Sequence, residues 1–164
     1  MKNLCLLRHA KSSWKLRSLD DFDRPLNNRG IRDAPFMGEI LLKKNIFPEL
    51  IISSPALRAI TTAKIIAEKL KYPVSNIKKD KNIYEASALD LLSVIKQTNN
   101  KLKFLMLVGH NPGITYLINL ISDKRLDNLP TAGIVCLKKE ADNWEEIDDN
   151  WSFEFIEYPK KYKH

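Results

Sequence analysis

The chain has 164 residues, 44% of them hydrophobic, which is enough for one domain with a sizeable buried core. No apolar run approaches the ~20 residues of a membrane span, and the opening MKNLCLLRHA is charged too soon for a secretory signal. The formal charge of +7 is spread along the chain without interleaved aromatics, which disfavours nucleic-acid binding; an acidic or phosphorylated partner fits the surplus equally well.

In chain order, residues 3–7 read as a buried strand carrying Cys5. A helix is expected over residues 28–44, kinked or split at Pro35. Residues 50–53 form a second short strand. A helix over residues 55–70 follows, with Ser54 as N-cap, Pro55 at the first helical position and Ala56, Ile60, Ala63, Ala67 and Leu70 on one stripe. Residues 77–83 are a weaker strand or loop, and residues 87–97 a helix with Leu91, Leu92 and Ile95 inward. Residues 104–108 are a buried strand. Asn111 and Pro112 then open a helix whose Ile114, Leu117, Ile118 and Ile121 share one face. Residues 134–137, with Cys136, and residues 152–157 are later strands.

This alternation predicts a three-layer α/β/α sandwich around a mostly parallel central sheet. Residues 1–158 are read as one domain and residues 159–164 as a disordered basic tail. Two cysteines are too few for a disulfide framework or a zinc site, so Cys5 and Cys136 are expected to be reduced core thiols and the protein cytoplasmic.

The unusual residues gather after the strands. Arg8 and His9 follow the first, Ser53, Ser54 and Arg58 the second, and Gly109, His110 and Asn111 the strand 104–108. Ligands of open α/β sheets bind beyond the carboxyl ends of the strands. Arg58 lies off the apolar stripe in the first turn of its helix, where a cation is disfavoured by ~0.3–1 kcal/mol unless an anion is bound there. Arginine forks suit phosphate oxygens, and the amides opening the helix after His110 add neutral donors. A metal fits less well, since neither His9 nor His110 has a carboxylate or cysteine pattern beside it and the arginines would repel a cation. The position of Arg8, Arg58, His110 and Asn111 therefore suggests a phosphoryl-binding pocket.

The blocks LLRHAKSSW, DRPLNNRGIRDAP, ISSPALRAITTA, IYEAS, LVGHNPGI and TAGIVCL, in this order, resemble the histidine phosphatase superfamily and within it the SixA-type phosphohistidine phosphatases. The resemblance implies a phosphoglycerate-mutase-like fold and makes His9 the nucleophile, with Arg8, Arg58 and His110 completing the pocket. It implies no metal or other cofactor. The substrate would be a phosphohistidine on a phosphotransfer domain or phosphocarrier protein, with phosphate as product. Mutase-like relatives keep a proton-donating glutamate between the second arginine and the second histidine. Glu85 is the candidate here, and an exposed loop glutamate is the competing reading. A working Glu85 would favour a broad phosphomonoesterase instead, because an alkoxide leaving group needs a proton. A phosphate- or nucleic-acid-binding module without turnover is the remaining alternative.

Overall fold

The computed structural model describes residues 1–162. Strand β1 (Lys2–Arg8) is followed by helix α1 (Asn28–Lys43), β2 (Leu50–Ser53), α2 (Leu57–Lys69) and the two-residue β3 (Lys78–Lys79). Then come α3 (Ala88–Lys96), β4 (Phe104–Gly109), α4 (Gly113–Ile121), β5 (Ile134–Lys139) and β6 (Ser152–Glu157). The six strands form one sheet in the order β3-β2-β4-β1-β5-β6. β1, β2, β3 and β4 run parallel, whereas β5 pairs antiparallel with both β1 and β6. This is the expected mixed α/β fold around a mostly parallel sheet.

Alternation along the strands builds the two faces. Cys5, Leu7, Met106 and Val108 pack under α1 and α2, with Met37, Leu41, Ala63 and Ile66 of those helices. Leu4, Leu6, Leu105 and Leu107 face the other way, toward Leu91 and Ile95 of α3 and Ile114 and Leu117 of α4. Trp144 and Trp151, both buried and stacked at 6.4 Å, close the second face. No helix of the described residues is long and apolar enough to cross a membrane.

Several local expectations change. Helix α1 runs unbroken through Pro35, because its buried stripe of Ala34, Met37, Ile40 and Leu41 holds both halves on the sheet. Helix α2 begins two residues late, at Leu57, and its N-cap Ala56 has no side-chain cap. Ser54 accepts from the Ala56 amide at 3.2 Å but turns toward His110. Residues 77–83 supply only two strand residues, since Lys78 and Lys79 at the sheet edge bury no side chain.

The cysteines are the main correction. Cys5 and Cys136 face each other across the antiparallel β1–β5 pair, their Cα atoms 4.2 Å apart, and are joined in a disulfide. The expectation of free thiols overlooked that register, which no local pattern reveals. The cytoplasmic placement therefore loses the support it drew from reduced thiols. Of the expected tail, Pro159–Tyr162 forms a 3-10 turn whose Lys161 and Tyr162 bond Glu157; residues 163–164 lie outside the described residues.

Candidate active site

The carboxyl ends of β1, β2 and β4 meet at one edge, and a cleft of about 310 Å³ opens there. Its walls include Arg8, His9, Arg24, Arg58, His110 and Asn111. Four of the sequence-predicted pocket residues, Arg8, Arg58, His110 and Asn111, are thus brought together with His9. Glu85 is not among the lining residues; it is exposed on the turn before α3, with a left-handed φ of 55°.

His9 is held at three points. Its amide donates to the Gly109 carbonyl at 3.0 Å, and its own carbonyl accepts from the Ala132 amide at 3.0 Å, so the ends of β4 and β5 fix its backbone. The ring Nδ1 lies 2.7 Å from the Ala10 carbonyl oxygen. A carbonyl only accepts, so Nδ1 carries the proton and Nε2 keeps its lone pair. Burial is the main cause that lowers the His9 pKa to about 3; nearby His110, Arg58 and Arg8 lower it further. The imidazole is therefore neutral at physiological pH.

His110 sits with its ring centroid 5.1 Å from that of His9, and its Nε2 lies 2.8 Å from Ser54 Oγ. Burial, then Arg58, lowers its pKa to about 4. The Ser54 hydroxyl already accepts from Ala56, so its hydrogen is free to be donated to Nε2. In that arrangement the proton of the neutral ring sits on Nδ1.

The arginines come in from separate segments. Arg8 Nη1 donates to the Leu129 carbonyl at 2.9 Å. Arg58, from the first turn of α2, is 6% exposed and lines the cleft. Its Nη1 donates to the Asp21 backbone carbonyl at 2.6 Å and its Nη2 to Asp21 Oδ2 at 3.0 Å. Thr62 joins α2 to β1 by accepting from the Ala10 amide and donating to the Arg58 carbonyl. Arg24 donates to Ser12 Oγ and to Asp21 Oδ1, and the exposed Trp14 ring covers its guanidinium at 3.5 Å. Asn111 lines the cleft with its side chain engaged: Nδ2 donates to Asn128 and Leu129, and Oδ1 accepts from Thr115.

Among the described residues, Arg8 Nε, Arg58 Nε and His110 Nδ1 are buried and have no hydrogen-bond partner. Buried donors of this kind are normally satisfied. All three belong to residues lining one cleft beside an unprotonated imidazole nitrogen. The set has the chemistry of an anion socket around a nucleophile.

The family model described as histidine phosphatase superfamily (branch 1) matches residues 4–91. The chain belongs to that superfamily. An uncharacterized chloroplastic protein of Arabidopsis thaliana is 32% identical over 153 residues, 88% of this chain and 70% of that protein. A 2,3-bisphosphoglycerate-dependent phosphoglycerate mutase of an Arthrobacter species is 34% identical over 84 residues, 50% of this chain and 34% of that enzyme. The solved structure of a candidate phosphohistidine phosphatase SixA from Agrobacterium tumefaciens superposes with a TM-score of 0.79 at 27% identity, covering 96% of this chain and 98% of that one. A protein histidine phosphatase SixA complexed with tungstate superposes at 0.84 with 20% identity, over 98% and 99% of the two chains, and extends the likeness in fold. In this superfamily member, sequence reading reached His9, Arg8, Arg58 and His110 but passed over Asp21, Tyr84 and the turn of Ser54. Asp21 stands in DDFDRP with acids on both sides, and nothing local distinguishes it.

Proposed function

We propose that the protein is a phosphohistidine phosphatase that hydrolyses phosphohistidine on a partner protein through a covalent intermediate at His9. The observation that carries this reading is the set of unpartnered buried donors, Arg8 Nε, Arg58 Nε and His110 Nδ1, in the cleft of a neutral His9. In the first step His9 Nε2 attacks phosphorus and the bond from phosphorus to the leaving nitrogen breaks; the substrate imidazole, already protonated on its other nitrogen, departs as a neutral ring. In the second, water attacks the phosphorylated His9 and releases phosphate. Charge spread over the equatorial oxygens is met by donors already in place, the larger share of catalysis in such transfers.

A metal-independent reaction suits this pocket, because Arg8, Arg24 and Arg58 line it and would repel a cation. A departing imidazole is a far better leaving group than an alkoxide, so a cleft without a lining acid suits phosphohistidine. The phosphomonoesterase alternative depends on Glu85, which is exposed outside that lining. The cleft, with the exposed Trp14 among its lining residues, suits a side chain presented by another folded protein. A phosphotransfer domain or phosphocarrier in the cytoplasm is the proposed partner.

The test offers purified enzyme, in a chelator, a phosphohistidine protein and p-nitrophenyl phosphate side by side. Preferential release from phosphohistidine, with alkali-stable phosphate trapped on His9, is the expected result. Preference for the ester, or activity restored only by added metal, would overturn the reading.

A further inference from the structure

Asp21 meets two arginines of the cleft, Arg58 and Arg24. Its backbone carbonyl and Oδ2 take Arg58 Nη1 and Nη2, and its Oδ1 takes Arg24 Nε. Tyr84, whose ring lies 5.6 Å from that of His110, donates its hydroxyl to the same Oδ2 at 2.6 Å. Three segments distant in sequence, the turn Asp21–Asp23, the first turn of α2 and Tyr84 just after the turn Lys81–Ile83, therefore meet on one carboxylate.

We infer that Asp21 is a positioning residue, which grips the outer Nη1–Nη2 edge of Arg58 and thereby presents the Nε edge of that guanidinium to the transferring phosphoryl group. A planar guanidinium held at two points on one edge has its remaining edge fixed in direction. The unpartnered atom of Arg58 is Nε, on the edge that Asp21 leaves free. Fixed donors count most in the transition state, because they need no reorganisation as charge develops.

Stapling the loop is the simpler role, and the loop is already stapled. Ser12 bridges to Leu26, the Ser13 amide donates to the Pro25 carbonyl, the Asn27 amide to the Lys11 carbonyl, and Arg24 Nη1 to Ser12 and Ser13. The Ser12–Leu26, Ser13–Pro25 and Asn27–Lys11 contacts do not involve the Asp21 side chain; Arg24 alone of these also bonds it. Proton donation is equally poor. Burial pushes the Asp21 carboxyl up, but hydrogen bonds from Tyr84, Arg58 and Arg24 outweigh it and hold the pKa at about 2.

The inference rests on the phosphoryl-transfer reading of the same cleft, and its test is separable from the choice of substrate. Wild type, Asp21→Asn, Arg58→Ala and the double variant are compared in tungstate affinity by calorimetry and in kcat and KM on a phosphohistidine peptide. Asp21→Asn should lower kcat by ~10-fold or more and weaken tungstate by a similar factor, with KM within about threefold, as expected for loss of transition-state orientation. In the Arg58→Ala background the same change should have less than about a twofold effect, because a residue acting through Arg58 has nothing left to act on. Asp21→Glu, which keeps the charge but shifts its reach, should show the same dependence on Arg58 and serves if the asparagine variant melts early. Independent, multiplicative losses in the double variant, or a wild-type-like Asp21→Asn, would overturn the inference. A wild type that ignores the phosphohistidine peptide would sink the substrate reading alone, while the tungstate cycle still decides the role of Asp21.

Discussion

His9 and His110 enter the cleft as neutral rings, and that has two consequences at the scale of the residue. Their pKa values in the folded state, about 3 and about 4, lie below the 6.5 of an exposed histidine. As pH falls below 6.5 the unfolded chain takes up protons that the folded chain does not, so stability is lost progressively through pH 4 and 3. NMR titration should find both rings neutral from pH 8 down to pH 5, and His9→Ala should flatten the fall of the melting temperature with acid. A His9 or His110 ring titrating near 6.5 would contradict the assigned environment. Glu85 supplies the second residue-scale test. Glu85→Gln should slow release from phosphohistidine by less than about threefold, while any phosphomonoester reaction that used it as an acid would drop by ~10²-fold or more. Equal losses on both substrates would give Glu85 a different role, such as holding the turn at Tyr84.

At the scale of elements, the site depends on how tightly α4 seats against the turn before α3. A Cβ on Gly113 would lie 2.3 Å from the Ala86 carbonyl oxygen, so any side chain there drives the start of α4 from that turn. Tyr84 and His110, which meet edge to face across the same junction, would separate with it. Gly113→Ala should therefore cost about 1–3 kcal/mol and reduce turnover together, read by calorimetry and by rate. Retained melting temperature and rate would show that the junction yields freely. The elements themselves were largely legible in the sequence. Periodicity and buried runs located β1, β2, β4 and all four helices, and punctuation by Asn111 and Pro112 located the start of α4 to within a residue. What escaped is long-range. The start of α2 moved because Ser54 is committed to His110, the cysteines paired through a strand register, and Asp21 gained its meaning only when α2 and Tyr84 came alongside. Local pattern carries none of these.

For the molecule as a whole, the link from Cys5 to Cys136 closes a loop with a sequence separation of 131. Constraining an unfolded chain over that span is worth about 5 kcal/mol in the chain-entropy account. A reductant should lower the melting temperature by on the order of 10 °C, and a Cys5→Ala, Cys136→Ala double variant should melt low with or without it. Two free thiols titrating in non-reducing denaturant would contradict the pairing. The strand order has a further consequence, in time rather than in space. β1, which delivers His9, lies between β4 and β5, so more than half of the chain must be synthesised and folded back before Arg8 meets Gly109 in register. Pairings of such high contact order form late, after helices and local turns. The segment 4–91 contains His9 and Arg58 but lacks the strand between β1 and β2. Catalytic competence is thus a property of the finished sheet, and its return during refolding would mark the closing of the last long loop.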